Sequence, residues 1–229
     1  MSRFAPGWGM TLACLVLVPA LLALGVWQIE RGAEKTRYQD RYLDRIGQPP
    51  QAVPASLDGS DFFRVHLTGE YLAGEHYLVD NRVREGRPGY WVVSRFGGDD
   101  GRIYLVNRGW LEAPPSREQL PRVATPAGPV RLVGVLWPDM GQPPLLGPDP
   151  WAAGWPKRVQ RLDLPRMAGG GSSVVPVEVR LEPGVPGVLE AAPLAVDFRP
   201  ERHRGYAVQW FALAVVLAVG YVMFGLRRS

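Results

Sequence analysis

Two windows of the chain are continuously apolar, and the sequence between them is mixed. Trp8 to Trp27 (WGMTLACLVLVPALLALGVW) contains no Asp, Glu, Lys or Arg. Tyr206 to Leu226 contains none either, and the chain then closes on Arg227, Arg228 and Ser229. A bilayer needs about 20 mostly apolar residues in a row, so residues 8–27 and 206–226 are each expected to form a membrane-spanning helix. The first window could also be a cleaved signal, since Arg3 precedes it and Ala23-Leu24-Gly25 offers small side chains. It exceeds the roughly 7–15 residues of a signal core, however, and a helix-compatible polar run follows without a break. An uncleaved anchor is the expectation. That polar run, residues 28–46, sets Tyr38, Tyr42 and Ile46 at i, i+4 and i+8 on one helix face. Gly47 and the paired prolines Pro49 and Pro50 then stop it.

From Phe62 the period shortens to two. In FFRVHLTGEYL, Phe63, Val65 and Leu67 share one face while Arg64, His66 and Thr68 share the other. EHYLVDNRV follows Ala73-Gly74 at a hairpin-like spacing, then come GYWVVSRF, RIYLVNRGWL, VRLVGVLW, PKRVQRLDL and VPVEVRL, seven β-rich runs in all. Turn and linker signals divide them, among them GGDDG, the proline-rich stretch from Pro114 to Pro129, and PDMGQPPLLGPDPWAAGW. The expected fold is α+β: a transmembrane hairpin whose two helices flank, in sequence, an antiparallel β-rich extramembrane domain (residues 47–205) built as a sandwich or small barrel.

Composition narrows the function classes. The formal charge is +4, but without Arg3, Arg227 and Arg228 the 26 Lys+Arg fall to 23 against 22 Asp+Glu, so there is no basic footprint for nucleic acid. The single Cys14 lies inside the first apolar window, which excludes an intramolecular disulfide and a Cys-based metal or redox motif. No G-x-S-x-G elbow, P-loop or dinucleotide fingerprint occurs, and the chain does not read as an enzyme. Charge alone leaves orientation ambiguous, because Arg31, Lys35, Arg37, Arg41, Arg45, Arg199, Arg202 and Arg204 flank the loop side. The positive-inside rule counts short segments, and the two short tails carry Arg and no acid, so both termini are expected in the cytoplasm.

YLVDNR (residues 77–82) and YLVNRGW (residues 104–110) repeat an Asn-Arg pair after an apolar strand. Asn81 and Asn107 would tolerate left-handed backbone at strand ends; alternatively, Arg82 and Arg108 meet a carboxylate or a partner. Of the three histidines, His66 and His76 are expected on the surface. His203 differs, since His203, Tyr206 and Trp210 fall at i, i+3 and i+7 where the second apolar helix begins, between Arg202 and Arg204. Imidazole is a common haem-iron ligand and arginine suits carboxylates; equally, these residues fit an interfacial belt. Gln209 lies within the apolar window, and Trp27-Gln28 mirrors Gln209-Trp210 at the same membrane boundary, an arrangement suited to hydrogen bonding between the two helices.

These segments together resemble the Surfeit-type cytochrome c oxidase assembly factors. LGVWQIERGAEK is similar to the family's first-helix exit, with Gly25, Trp27, Gln28, Arg31 and Lys35 in place. FFRVHLTGEY, NRVREGRPGYWVVSRF and LVNRGWL resemble its central signatures, and HRGYAVQWFALA the start of its second helix. The resemblance implies a non-catalytic role in delivering haem a to oxidase subunit I during assembly, with haem a synthase as a further partner. It places the central domain in the periplasm, across a bacterial inner membrane. Only seven residues precede the first helix, too few for a mitochondrial transit peptide. The resemblance maps the family's second-helix histidine onto His203, the expected ligand of haem a iron. Tyr206, Gln209, Trp210, Trp27, Gln28 and Arg202 are then expected to shape the haem site. The alternative is a haem-free membrane scaffold that holds subunit I.

Overall fold

The computed structural model describes residues 6–142, 144–145, 147–169, 173–194 and 198–227. Its elements in chain order are α1 (Trp8–Ile46), β1 (Gln51–Ala52), β2 (Arg64–Val79), β3 (Gly89–Gly98), β4 (Ile103–Glu112), β5 (Val130–Trp137), β6 (Lys157–Val159), α2 (Leu164–Ala168), β7 (Val174–Leu181) and α3 (Pro200–Arg227). They fall into two compact units. One is helical, made of Met1–Asp40 and Val196–Ser229; the other is β-rich, spanning Arg41–Ala195.

α1 runs unbroken for 39 residues, of which those up to Asp40 belong to the helical unit, and α3 opens at Pro200, six residues before the charge-free window. Proline suits that first position because its missing N–H would be unpaired there in any case, and Glu201 in the first turn complements the helix dipole. Both helices are long and apolar enough to cross a membrane. Their covered positions recur every three or four residues: Cys14, Val18, Leu21, Gly25, Gln28 and Gly32 on α1, and His203, Ala207, Trp210, Ala214, Leu217 and Tyr221 on α3. A seven-residue period keeps one seam facing its partner along both helices, and small residues on the seam let backbones approach where no hydrophobic effect drives association. A Cβ on Gly25 would lie 2.6 Å from the Phe211 ring. Leu15, Val16, Val208, Val215 and Val216 are exposed on the remaining faces, as lipid-facing side chains should be.

In the β-rich unit, five strands close on themselves. β2 pairs with β3, β3 with β4, β4 with β7, β7 with β5, and β5 returns to β2. Of the two expected architectures, the small barrel is the one formed. Four of these pairings are antiparallel and β4–β7 is parallel. Closure removes the free edges that an open sheet of this size would leave. Val65, Leu67, Tyr71, Phe96, Tyr104, Val106, Leu132, Leu136, Val179 and Leu181 form one buried cluster. A second, with Tyr77, Val79, Val93, Leu105, Leu162 and Met167, lies under α2 and the loops around it. The last residues of α1 belong to this unit: Arg41 bonds the Asp61 carboxylate, and Tyr42 packs edge-on against Phe62, ring centroids 5.5 Å apart.

The two runs FFRVHLTGEYL and EHYLVDNRV, expected as hairpin partners, are one strand. β2 bends through an irregularity between Tyr71 and His76, on either side of which it keeps β3 as its neighbour. A slip there inverts the alternation. Before the bend the odd residues Val65, Leu67 and Tyr71 pack into the first cluster; after it, Tyr77 and Val79 belong to the second, and Leu78 packs with Tyr90 and Val92. The true hairpin turn is Glu85-Gly86, whose φ angles of 52° and 79° are both left-handed, between Arg84 and Arg87, which exchange backbone hydrogen bonds of 3.0 and 2.9 Å.

Candidate functional site

His203 and Gln28 are brought together. The ring Nδ1 lies 2.7 Å from the amide Oε1 of Gln28. A carbonyl oxygen only accepts, so Nδ1–H is the donor, and the neutral ring then carries its lone pair on Nε2. A hydrogen bond on one ring nitrogen fixes the tautomer and orientation of a histidine whose other nitrogen binds metal. The approach depends on Gly32, one turn beyond Gln28: a Cβ there would sit 3.3 Å from the Cβ of His203. At the other end of the pair, Thr11 Oγ1 donates to Gly7 O at 3.0 Å, which leaves the Tyr221 hydroxyl as donor to Thr11 at 3.0 Å. The seam therefore has a polar contact near each end and small residues between them.

The other expected site residues separate by helix face. Trp210 is half-covered on the α3 seam, one turn from Ala207. Tyr206 and Gln209 lie off the seam and are exposed, as are Arg202 on α3 and Trp27 on α1. Gln28 thus meets His203 directly, and its sequence mirror Gln209 faces outwards. Sequence reasoning passed over Gly25, Gly32, Ala207 and Ala214 as site-building residues; their seven-residue spacings were the available signal.

His66 is a half-exposed strand residue, as expected. His76 is not on the surface: it is 3% exposed and bonded on both ring nitrogens, with Nδ1 2.9 Å from Ser94 Oγ and Nε2 3.2 Å from Thr125 Oγ1. The inverted alternation of β2 turns it inwards. Thr125 Oγ1 is also within 3.4 Å of Val123 O, so the hydroxyl donates there and accepts from Nε2–H, leaving Nδ1 to accept from Ser94. Burial, and then the neighbouring Arg108 guanidinium, push the His76 pKa down from 6.5 to about 4. Because the folded value lies below the unfolded one, the unfolded chain binds the extra proton, and stability falls as pH drops through the window between them. Urea unfolding of the detergent-solubilised chain, followed by tryptophan fluorescence, should show the β-rich unit less stable by about 2 kcal/mol at pH 5 than at pH 7. In His76→Gln most of that difference should vanish; an unchanged difference would place the titration elsewhere.

The Asn-Arg echo divides in two. Asn81 adopts φ 60°, as a turn residue would, but Asn107 sits inside β4, buried, and donates to Glu178 Oε1 at 2.6 Å. Arg108 points into the barrel and, among the described residues, bonds no carboxylate. Its Nε donates to Gly187 O at 2.6 Å, and its Nη2 to Ala124 O. Among the described residues, no group of three or more His, Cys, Asp or Glu side chains is arranged to hold a metal ion.

Comparison with known proteins fits this architecture. The model of the SURF1 family matches residues 15–215, from within α1 to within α3. A SURF1-like protein of Caenorhabditis elegans is 25% identical over 96% of this chain and 76% of its own length. An uncharacterized SURF1-like protein of Mycobacterium tuberculosis is 26% identical over 96% of this chain and 83% of its own. A SURF1-like protein of Rickettsia conorii is 25% identical, covering 90% and 87%. With a family model that reaches into both helices and covers every strand of the barrel, the chain belongs to the SURF1 family.

Proposed function

We propose that this chain is an assembly factor for haem-copper cytochrome c oxidase that binds haem a and promotes its delivery to subunit I. The supporting observation is the His203–Gln28 contact, which orients the ring through Nδ1 at the start of the second apolar span, so that Nε2 is the nitrogen that would meet a metal. The donor set fits a haem iron, since a neutral imidazole with an oriented second nitrogen is what axial ligation requires. Trp210, on the same seam, offers an apolar wall, and Arg202 a cation for a propionate. When bound, haem a would supply only itself as cargo, since no reaction of the chain's own is implied by a family of assembly factors. In this reading the chain lies in a bacterial inner membrane with both termini cytoplasmic and the barrel periplasmic. The exposed Tyr206 and Gln209 are free to meet subunit I or haem a synthase within the bilayer.

Purification in detergent from cells that make haem a should give a protein with a Soret band. Gln28→Leu, which leaves the ring unoriented, should weaken haem binding by about ten- to a hundredfold, and His203→Ala should remove the band. Haem content unchanged in His203→Ala would overturn the ligand assignment. Subunit I co-purifying with haem-free wild-type protein would show a scaffold instead.

A further inference from the structure

The β2–β3 hairpin of the barrel holds a second site, in a different unit from His203. A cleft of about 420 Å³ is lined by Asn81, Arg82, Val83, Arg84, Trp91, Trp110 and Pro193. A smaller one of about 140 Å³ shares Arg82 and Trp91 with it and adds Trp137, Glu178 and Arg180. The volume of the first falls in the range of small-molecule pockets. Two indoles contribute to its lining, the half-buried Trp91 and the largely buried Trp110, over whose ring Arg87 lies at 5.0 Å. The Arg82 guanidinium stacks on Trp91 at 4.3 Å, and Arg180 lies 5.0 Å from the same ring and 3.8 Å from that of Trp137.

The charges around the cleft are unequal in their pairing. Arg180 is neutralised by Glu178 at 2.8 Å, and Arg84 by Glu190 at 3.2 Å. The nearby Asp80 is engaged by Arg117 at 2.7 Å. Among the described residues Arg82 forms no ion pair: the carboxylate that acts on it, Glu178, is already bonded to Arg180, and the Arg82 Nε is buried without a hydrogen bond. Its backbone carbonyl is held by Trp110 Nε1 at 2.6 Å, so the side chain is positioned at the mouth by the same indole that lines it. Arginine does not escape such a setting by losing its proton. A buried, unpaired donor on a cation costs free energy that an anion would offset, and burial presses the Arg82 pKa down accordingly.

We propose that this cleft binds a small ligand carrying a carboxylate or similar oxyanion on a flat apolar body. The anion pairs with Arg82, and the body lies against Trp91 and Trp110. Arg84, already committed to Glu190, sets the rim. The site is independent of the haem reading, because none of its residues lies in the helical unit.

The test is titration of the full-length protein in detergent with 2-naphthoate, read by saturation-transfer NMR, with 2-naphthylmethanol as its uncharged counterpart. The acid should bind at least tenfold more tightly than the alcohol. Arg82→Gln should weaken the acid at least tenfold and leave the alcohol unchanged. Val83 is exposed in the hairpin, so Val83→Glu preserves the fold while setting a negative charge at the mouth; it should weaken the acid severalfold. That variant decides the matter if Arg82→Gln does not fold. His203→Ala should bind naphthoate as the wild type does. Equal affinity for acid and alcohol, wild-type affinity for the acid in Arg82→Gln or in Val83→Glu, or no binding of the acid at millimolar concentration would overturn the proposal.

Discussion

Replacing Arg108 by alanine is expected to destabilise the barrel by about 4 kcal/mol, more than a third of what holds a typical domain folded. Arg108 is 1% exposed and among the largest fully buried side chains. It spans from β4 to two separate loops: Ala124, in the proline-rich stretch between β4 and β5, and Gly187, in the segment after β7. It also lies 5.0 Å above the Tyr71 ring, whose hydroxyl donates to Pro186 O at 2.9 Å. Two terms favour the substitution: a buried charge is removed, and His76 loses the neighbour that helps depress its pKa. Three terms oppose it. Bonds from a charged donor contribute about 1.5–3 kcal/mol each, and carbonyls left buried without a donor cost about 1–3 kcal/mol each; the vacated volume adds a cavity term. The opposing terms are larger. Arg108→Met, which refills the space without donors, should recover roughly a third of the loss in urea unfolding followed by tryptophan fluorescence. A loss below about 1 kcal/mol in Arg108→Ala would mean that the carbonyls find water in the native chain.

How far the sequence reveals this molecule depends on which physical signal each element rests on. The apolar windows of α1 and α3 announce themselves, since lipid demands about 20 residues and tolerates few exceptions. Strand runs are equally plain by their alternation. What alternation cannot carry is the bend of β2, because an irregularity in a strand is invisible to a period-two pattern until the partner strand is known. The misplacement of His76 follows from that one step: read as the opening of a separate strand, His76 falls in solvent, and as part of the bent β2 it falls in the core. Asn107 illustrates a second limit. Its tripeptide looks like a strand end, yet β4 runs on to Glu112, and the buried acceptor that Asn107 needs is Glu178, far away in sequence. The candidate haem site is half legible. His203 stands out by its position before the apolar span, and Gln28 by lying at the end of the other, but the pairing rests on Gly32 and on a seven-residue seam that is seen only when both helices are superposed on one period.

Gly109→Ala is expected to be nearly as damaging as loss of Arg108, for a reason confined to the backbone. Gly109 holds φ 107° in the middle of β4, a region that side-chain-bearing residues rarely adopt. An added Cβ would lie 2.1 Å from Glu190 O and 2.7 Å from its carbonyl carbon. Neither atom is the free end of a side chain, so the segment must move as a unit. It is held there by three backbone hydrogen bonds: Leu189 N to Arg108 O at 2.8 Å, Trp110 N to Glu190 O at 2.6 Å and Glu190 N to Trp110 O at 3.3 Å. Left-handed strain costs about 1–3 kcal/mol, and lost backbone hydrogen bonds bring the expected total to about 3–4 kcal/mol. The displaced segment also carries Glu190, the partner of Arg84 at 3.2 Å, and Pro193, which lines the Arg82 cleft. The same substitution should therefore do two things at once. It should lower the urea midpoint, and in the fraction that remains folded at low temperature it should weaken the naphthoate binding proposed for the cleft while leaving any Soret band from the proposed His203 site in place. Gly47→Ala serves as the control: a Cβ there has nothing within 4 Å, so its stability should stay within about 0.5 kcal/mol of wild type. Wild-type stability in Gly109→Ala would show that the 189–191 segment is not fixed against β4 in the folded protein.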